Sequence, residues 1–172
     1  MRSFKWVAII LSSVIALIAS LIIVVSLSMR PPRESKITTD FRAHRAEYEQ
    51  LRKMLLDDKD VDVIADWGVL TNDSPISRTP PDGMPIKRYQ EHLALLKDTG
   101  ARAVAQMREP PEARILIWGS GWGADTRHVA VSWLASEPPN TMASLEAFYR
   151  TPKPRNPVYI HIDGNWYIWA DW

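Results

Sequence analysis

The sequence predicts an α+β protein: an N-terminal transmembrane helix, then two amphipathic helices packed on an antiparallel sheet of about five short strands. Three observations carry this. A long uncharged apolar run fills most of the first 29 residues. Apolar residues then recur at spacings of three and four, the period of one helix face. From Arg102 onward the apolar segments are short, rich in Val, Ile and aromatics, and separated by turn residues, as in hairpins. Helices first and strands later argue for helices covering one face of the sheet.

The run Trp6–Met29 carries no charge and is flanked by Arg2 and Lys5 on one side and Arg30, Arg33 and Lys36 on the other. Its length suits a hydrocarbon core of about 30 Å, and it exceeds the apolar region of a cleaved signal peptide. It is expected to be a single-pass signal anchor in the lipid bilayer, with the soluble domain extracytoplasmic. Ser12, Ala16 and Ser20 lie four apart, a spacing of small residues that would allow weak helix pairing. Residues 1–29 are therefore read as the anchor, 30–37 as a polar Pro-rich spacer, and 38–172 as a single soluble α+β domain.

The first soluble helix is expected over Asp40–Leu56, with Phe41, His44, Tyr48, Leu51 and Leu55 as its apolar stripe. Val61, Val63 and Ile64 suggest a short strand or extended segment, closed by Trp67-Gly68. Thr71–Gly83 is crowded with turn formers and reads as a loop. The second helix is expected from Pro85 to Thr99, because Pro suits a first helical position and Gly100 the residue past the end. Ile86, Tyr89, Leu93 and Leu96 form its stripe. Five strands follow: Arg102–Met107, Arg114–Trp118, His128–Leu134, Val158–Ile162 and Trp166–Ala170, with a short helix or turn at Ser144–Tyr149. A three-residue turn at Asp163–Asn165 would pair Ile162 with Trp166 and Ile160 with Ile168. Tyr159, His161, Tyr167 and Trp169 would then share the opposite face.

The 172 residues carry a net charge of +1, with no basic stripe of the kind nucleic-acid binding needs. The absence of cysteine excludes disulfides, thiolate metal sites, a cysteine nucleophile and a lipid-modified cysteine.

The order of an N-terminal anchor, a helix of the FRAHRAEYEQLRKML type, a second helix RYQEHLALLKDTG, hairpins and a closing NWYIW strand resembles small bacterial envelope proteins anchored to the membrane by a helix or a lipid. The resemblance implies an envelope location. It supplies no activity and no site residues, and the chain departs from the lipid-anchored kind in having no cysteine.

Candidate chemistry is sparse. Asp58, Asp60 and Asp62 begin like a calcium loop, but Val63 and Val69 stand where Gly and Glu are needed, so a solvated acidic helix end fits better. Gly119-Ser120-Gly121-Trp122-Gly123 lacks the strand-then-helix context of a phosphate loop and does not match a nucleophile elbow. His44, His92, His128 and His161 show no ligand spacing, and His44 sits on an apolar stripe as a core histidine would. No metal set or cofactor loop can be assembled. The eight tryptophans are the unusual feature. Most are expected in the core, but Trp122 at a turn and Trp172 at the end would be exposed. With Tyr159 and Trp169 they form the candidate binding surface. The expected function is therefore that of a non-enzymatic, membrane-tethered domain that contacts an envelope protein or a cell-surface polymer such as a polysaccharide. The alternative is a hydrolase-like envelope enzyme in which His128, His161 and Asp125 converge only on folding.

Overall fold

A computed structural model of the chain describes residues 13–21, 30–71, 84–108, 111–120, 126–152 and 156–171, and the backbone of 74–77. The chain divides into two compact units, Met1–Pro31 and Pro32–Trp172.

In the first unit, residues 13–21 are helical. Ser20 Oγ donates to the carbonyl of Ala16 at 2.8 Å, the back-bond that makes a helical serine tolerable in apolar surroundings. Among the described residues no helix is long and apolar enough to cross a membrane. That finding corrects the transmembrane helix expected over Trp6–Met29 and, with it, the single-pass membrane location. The rest of the expected anchor, Ser12 included, lies outside the described residues.

The second unit runs α1 (Glu34–Ala43), α2 (Arg45–Asp57), β1 (Val61–Ala65), β2 (Gly68–Thr71), β3 (Ser74–Ser77), α3 (Ile86–Thr99), β4 (Ala103–Arg108), β5 (Pro111–Ser120), β6 (Arg127–Leu134), α4 (Leu145–Arg150), β7 (Val158–Asp163) and β8 (Trp166–Asp171). Among the described residues the sheet has eight strands rather than about five, in the order β3-β2-β1-β4-β5-β6-β8-β7, and every pairing between those strands is antiparallel. The five expected strands are present. The segment at Val61–Ile64, expected as a short strand or extended stretch, is strand β1, and the unexpected additions are β2 and β3, the last inside the stretch read as a loop.

Two differences concern the helices. The expected helix over Asp40–Leu56 starts earlier, at Glu34 within the stretch read as spacer, and is broken at His44 (φ −117°, ψ 29°). No proline or glycine accounts for the break. The His44 N–H still donates to Asp40, and its carbonyl accepts from Tyr48, so the turn loses no backbone bond there. His44 is half-buried at this corner and is not the core histidine. Helix α3 matches expectation in extent, with Pro85 at its N-cap and Gly100 left-handed at φ 66° beyond its end. Its buried face is rotated, however, to His92, Leu95, Leu96 and Thr99, which leaves Leu93 half-buried and Ile86 exposed.

Cross-strand register sorts the sheet residues into two faces. Ile64, Val104, Ile115, Val131, Ile168 and Ile160 form one continuous row across six strands. All six belong to the main core with Phe41, Tyr48, Leu51 and Leu55 of the helices. Phe41, Tyr48 and Trp166 meet at ring-centroid distances of 5.3 to 6.1 Å. Trp166 Nε1 donates to Glu49 Oε1 at 2.8 Å, which ties α2 to the last strand. A parallel row, Ala65, Ala103, Leu116, Ala130, Trp169 and Tyr159, lies on the opposite face. Ala130, Tyr159 and Trp169 there join Leu134 and Tyr167 in a second, smaller cluster.

The closing hairpin keeps the expected faces by a different route. Ile160 pairs with Ile168 as expected, but Asp163 rather than Ile162 pairs with Trp166. The turn is a two-residue Gly164-Asn165 with Gly164 at φ 55°, and a bulge between His161 and Asp163 restores the register.

Candidate functional site

The second sheet face carries an open trough of about 740 Å³. Its floor is Val63 of β1, Ala103 and Ala105 of β4, and Leu116 of β5. Small side chains at β4 keep the floor low, because no bulky Cβ substituent rises from the central strand. Trp67, Asp66 and Arg102 line one margin, Arg114 and Trp169 another, and Gly119, Ser120, Thr126 and His128 the end.

Trp67 occupies the tight turn between β1 and β2 and is 53 % exposed. Trp169 is the reverse case, only 5 % exposed. The Arg114 guanidinium lies 3.8 Å from the Trp169 ring centroid, a close cation–π contact. Arg114 is itself held by Glu112 through two charge-assisted bonds of 2.9 and 2.8 Å. Tyr159 OH donates to the same carboxylate at 3.3 Å. Burial first, and then the Glu112 charge, push the Tyr159 phenol above its ordinary range, so it stays a neutral donor. Trp169 thus lines the trough from a buried position, and Tyr159 is buried beside it in the second cluster.

His128 owes its place to two register neighbours, Gly119 on β5 and Asp171 on β8. Its Nδ1 is 3.1 Å from Asp171 Oδ1. On the other side its Cδ2–Nε2 edge lies over Gly119, where a Cβ would sit 3.1 Å from Cδ2. A β-bulge between Leu116 and Trp118 turns Trp118 into the helix-side core and brings Gly119 to the trough face. The glycine is therefore a clearance for the imidazole. Arg102 Nη1 donates weakly, at 3.4 Å, to the Gly119 carbonyl, which brings a guanidinium to the same corner.

The remaining sequence candidates are elsewhere. His161 is exposed, donates from Nε2 to the Gly164 carbonyl at 3.0 Å and stacks edge-on against Tyr167. It pairs with Tyr167, four positions along β8 from Asp171, so it does not converge with His128. Asp125, Trp122 and Trp172 lie outside the described residues. Asp58 binds Arg88 at 3.1 Å and His92 at 2.8 Å, while Asp62 turns to Arg108, so the acidic triplet diverges. Among the described residues no group of three or more His, Asp or Glu side chains could hold a metal ion. Sequence reasoning missed Trp67, Arg102, Arg114 and Asp171. Alternation along Ala113-Arg114-Ile115-Leu116 marks Arg114 as facing away from the core, but nothing local links Asp171 to His128. Comparison of the chain with known protein families, curated proteins and solved structures finds no match.

Proposed function

We propose that the unit Pro32–Trp172 is a non-enzymatic binding domain that takes a segment of a polysaccharide in the trough on the sheet face opposite its main core. The observation that carries this is Trp67, a large indole left more than half exposed at a tight turn on the margin of a pocket. An indole is rarely left in water where burial is possible, and exposed Trp offers rigid area at low entropic cost. A sugar ring has a C–H face that stacks on such a plane and hydroxyls that need polar partners. The trough supplies an apolar floor and a rim of Asp66, Arg102, Ser120, Thr126 and His128. Affinity electrophoresis of the full chain in native gels cast with soluble glucan, mannan or xylan tests it. Retardation by one of them is expected, and Trp67→Ala should weaken it by about tenfold or more, in the range of an aromatic hot spot. Retardation by none of the polymers, or an unchanged mobility for Trp67→Ala, overturns the proposal.

One observation favours a second reading. The His128–Asp171 pair has the form of an oriented general base. A hydrolase would show turnover of the bound polymer that His128→Ala abolishes. The exposed Trp67 on the trough margin is what supports binding as the first reading.

A further inference from the structure

We infer that His128, Asp171 and Arg102 form a reader for a single ligand hydroxyl at the end of the trough, with Asp171 setting the tautomer that makes it one. The inference rests on the binding reading above and specifies its ligand chemistry. A carboxylate only accepts, so a neutral His128 beside Asp171 must carry its proton on Nδ1, the nitrogen 3.1 Å from Oδ1. Nε2 is then a bare acceptor. Its edge of the ring lies over Gly119, on the side away from Asp171, in the wall of the trough. Arg102 offers only donors, and its hydrogen bond to the Gly119 carbonyl holds it at the residue that His128 covers. An acceptor on β6 and a donor just before β4, both held at Gly119, suit a group that donates once and accepts once. A hydroxyl does both, a carboxylate cannot donate to Nε2, and an ammonium cannot accept from Arg102. The corner therefore selects a neutral hydroxylated ring over charged ligands.

Asp171 acts here through His128 and is a positioning residue. Replacing it with Asn offers the ring an amide N–H, which makes Nδ1 an acceptor and moves the proton to Nε2. The corner then presents two donors. Two measurements on the full chain test this. Ring-nitrogen NMR of His128 should show protonated Nδ1 in the native protein and protonated Nε2 in Asp171→Asn. In the gels described above, Asp171→Asn and His128→Ala should each weaken retardation by the unmodified polymer by about tenfold. Methylating the polymer hydroxyls, which removes their hydrogens and keeps the rings, should do the same to the native protein. A native ring protonated on Nε2 overturns the inference without any ligand. If Trp67→Ala abolishes retardation while methylation, Asp171→Asn and His128→Ala leave it unchanged, the trough binds but the hydroxyl reader falls. Absence of retardation by all three polymers overturns both.

Discussion

His92 shows how one buried side chain couples folding to pH. It is fully buried on α3, and its Nε2 meets Asp58 Oδ2 at 2.8 Å, while Nδ1 has no hydrogen-bond partner among the described residues. In the neutral ring Nε2–H donates to Asp58 and Nδ1 is merely a bare acceptor. Protonation would add a buried N–H with nothing to receive it, which is the costlier defect. Desolvation accordingly lowers the pKa below the ordinary 6.5, outweighing the pull of Asp58 in the other direction. The unfolded chain then binds the proton more readily than the native one. Stability from this group is complete above the unfolded value and is lost as pH falls through 6.5 toward the depressed native value. Thermal melts of the native chain should lose midpoint temperature between about pH 7 and 5, where His titrates and few carboxylates do. A His92→Gln chain should melt lower throughout but with a flatter slope in that window. An equal slope in both would show that the group does not titrate on unfolding. The role was not legible in the sequence, where His44 had the better stripe position and His92 none.

At the scale of elements, what sequence showed and what it hid divide by locality. The strands from β4 on, the cap residues of α3 and the opposed isoleucines of the closing hairpin all follow from spacing within a few residues. The bulges at Ile117 and Ile162 do not, because each is set by what the neighbouring strand needs: a core place for Trp118 and a uniform face for β7. Strand β2 is only four residues long and follows a tight turn, and β3 lies among the turn formers of Thr71–Gly83, where tertiary pairing overrides such propensities. The phase of α3 was misjudged for a related reason. A polar residue, His92, takes the buried position because Asp58 waits for it, and the stripe rotates so that Leu93 is only half-buried. A measurable contrast results. Leu51 is fully buried in α2, and Leu51→Ala should cost about 2–5 kcal/mol in urea unfolding. Leu93→Ala, which gives up roughly half of a leucine's burial, should cost about 1 kcal/mol. Equal losses would return Leu93 to the core and restore the stripe read from sequence.

Considered as a whole, the folded unit assigns different tasks to the two faces of one sheet. The helix side holds the larger core and carries most of the stability. The other side is assembled from β1, β4, β5, β6 and β8, which are adjacent only because of the strand order. For that reason His128 could be picked out from sequence as polar and isolated, whereas Arg102, Arg114, Trp67 and Asp171 could not be gathered around it. Three tryptophan and leucine variants separate the tasks. Leu51→Ala removes contacts on the helix side and touches none of the trough residues, so it should lower stability and leave polymer retardation intact below the melting transition. Trp67→Ala removes an exposed side chain from a turn, so it should change stability by less than about 0.5 kcal/mol while weakening retardation. Trp169 belongs to both tasks, since it is 5 % exposed, sits under the Arg114 guanidinium and lines the trough. Its removal leaves a large cavity and takes away the cation–π contact of Arg114, and Trp169→Ala should cost about 3–5 kcal/mol as well as reducing retardation. Unfolding curves and native gels on the three variants give the outcome directly. A Trp169→Ala chain as stable as the native one would mean that this indole is a free binding group after all. A Trp67→Ala chain that loses several kcal/mol would mean that the exposed indole is a structural one and would remove the ground for a polysaccharide site.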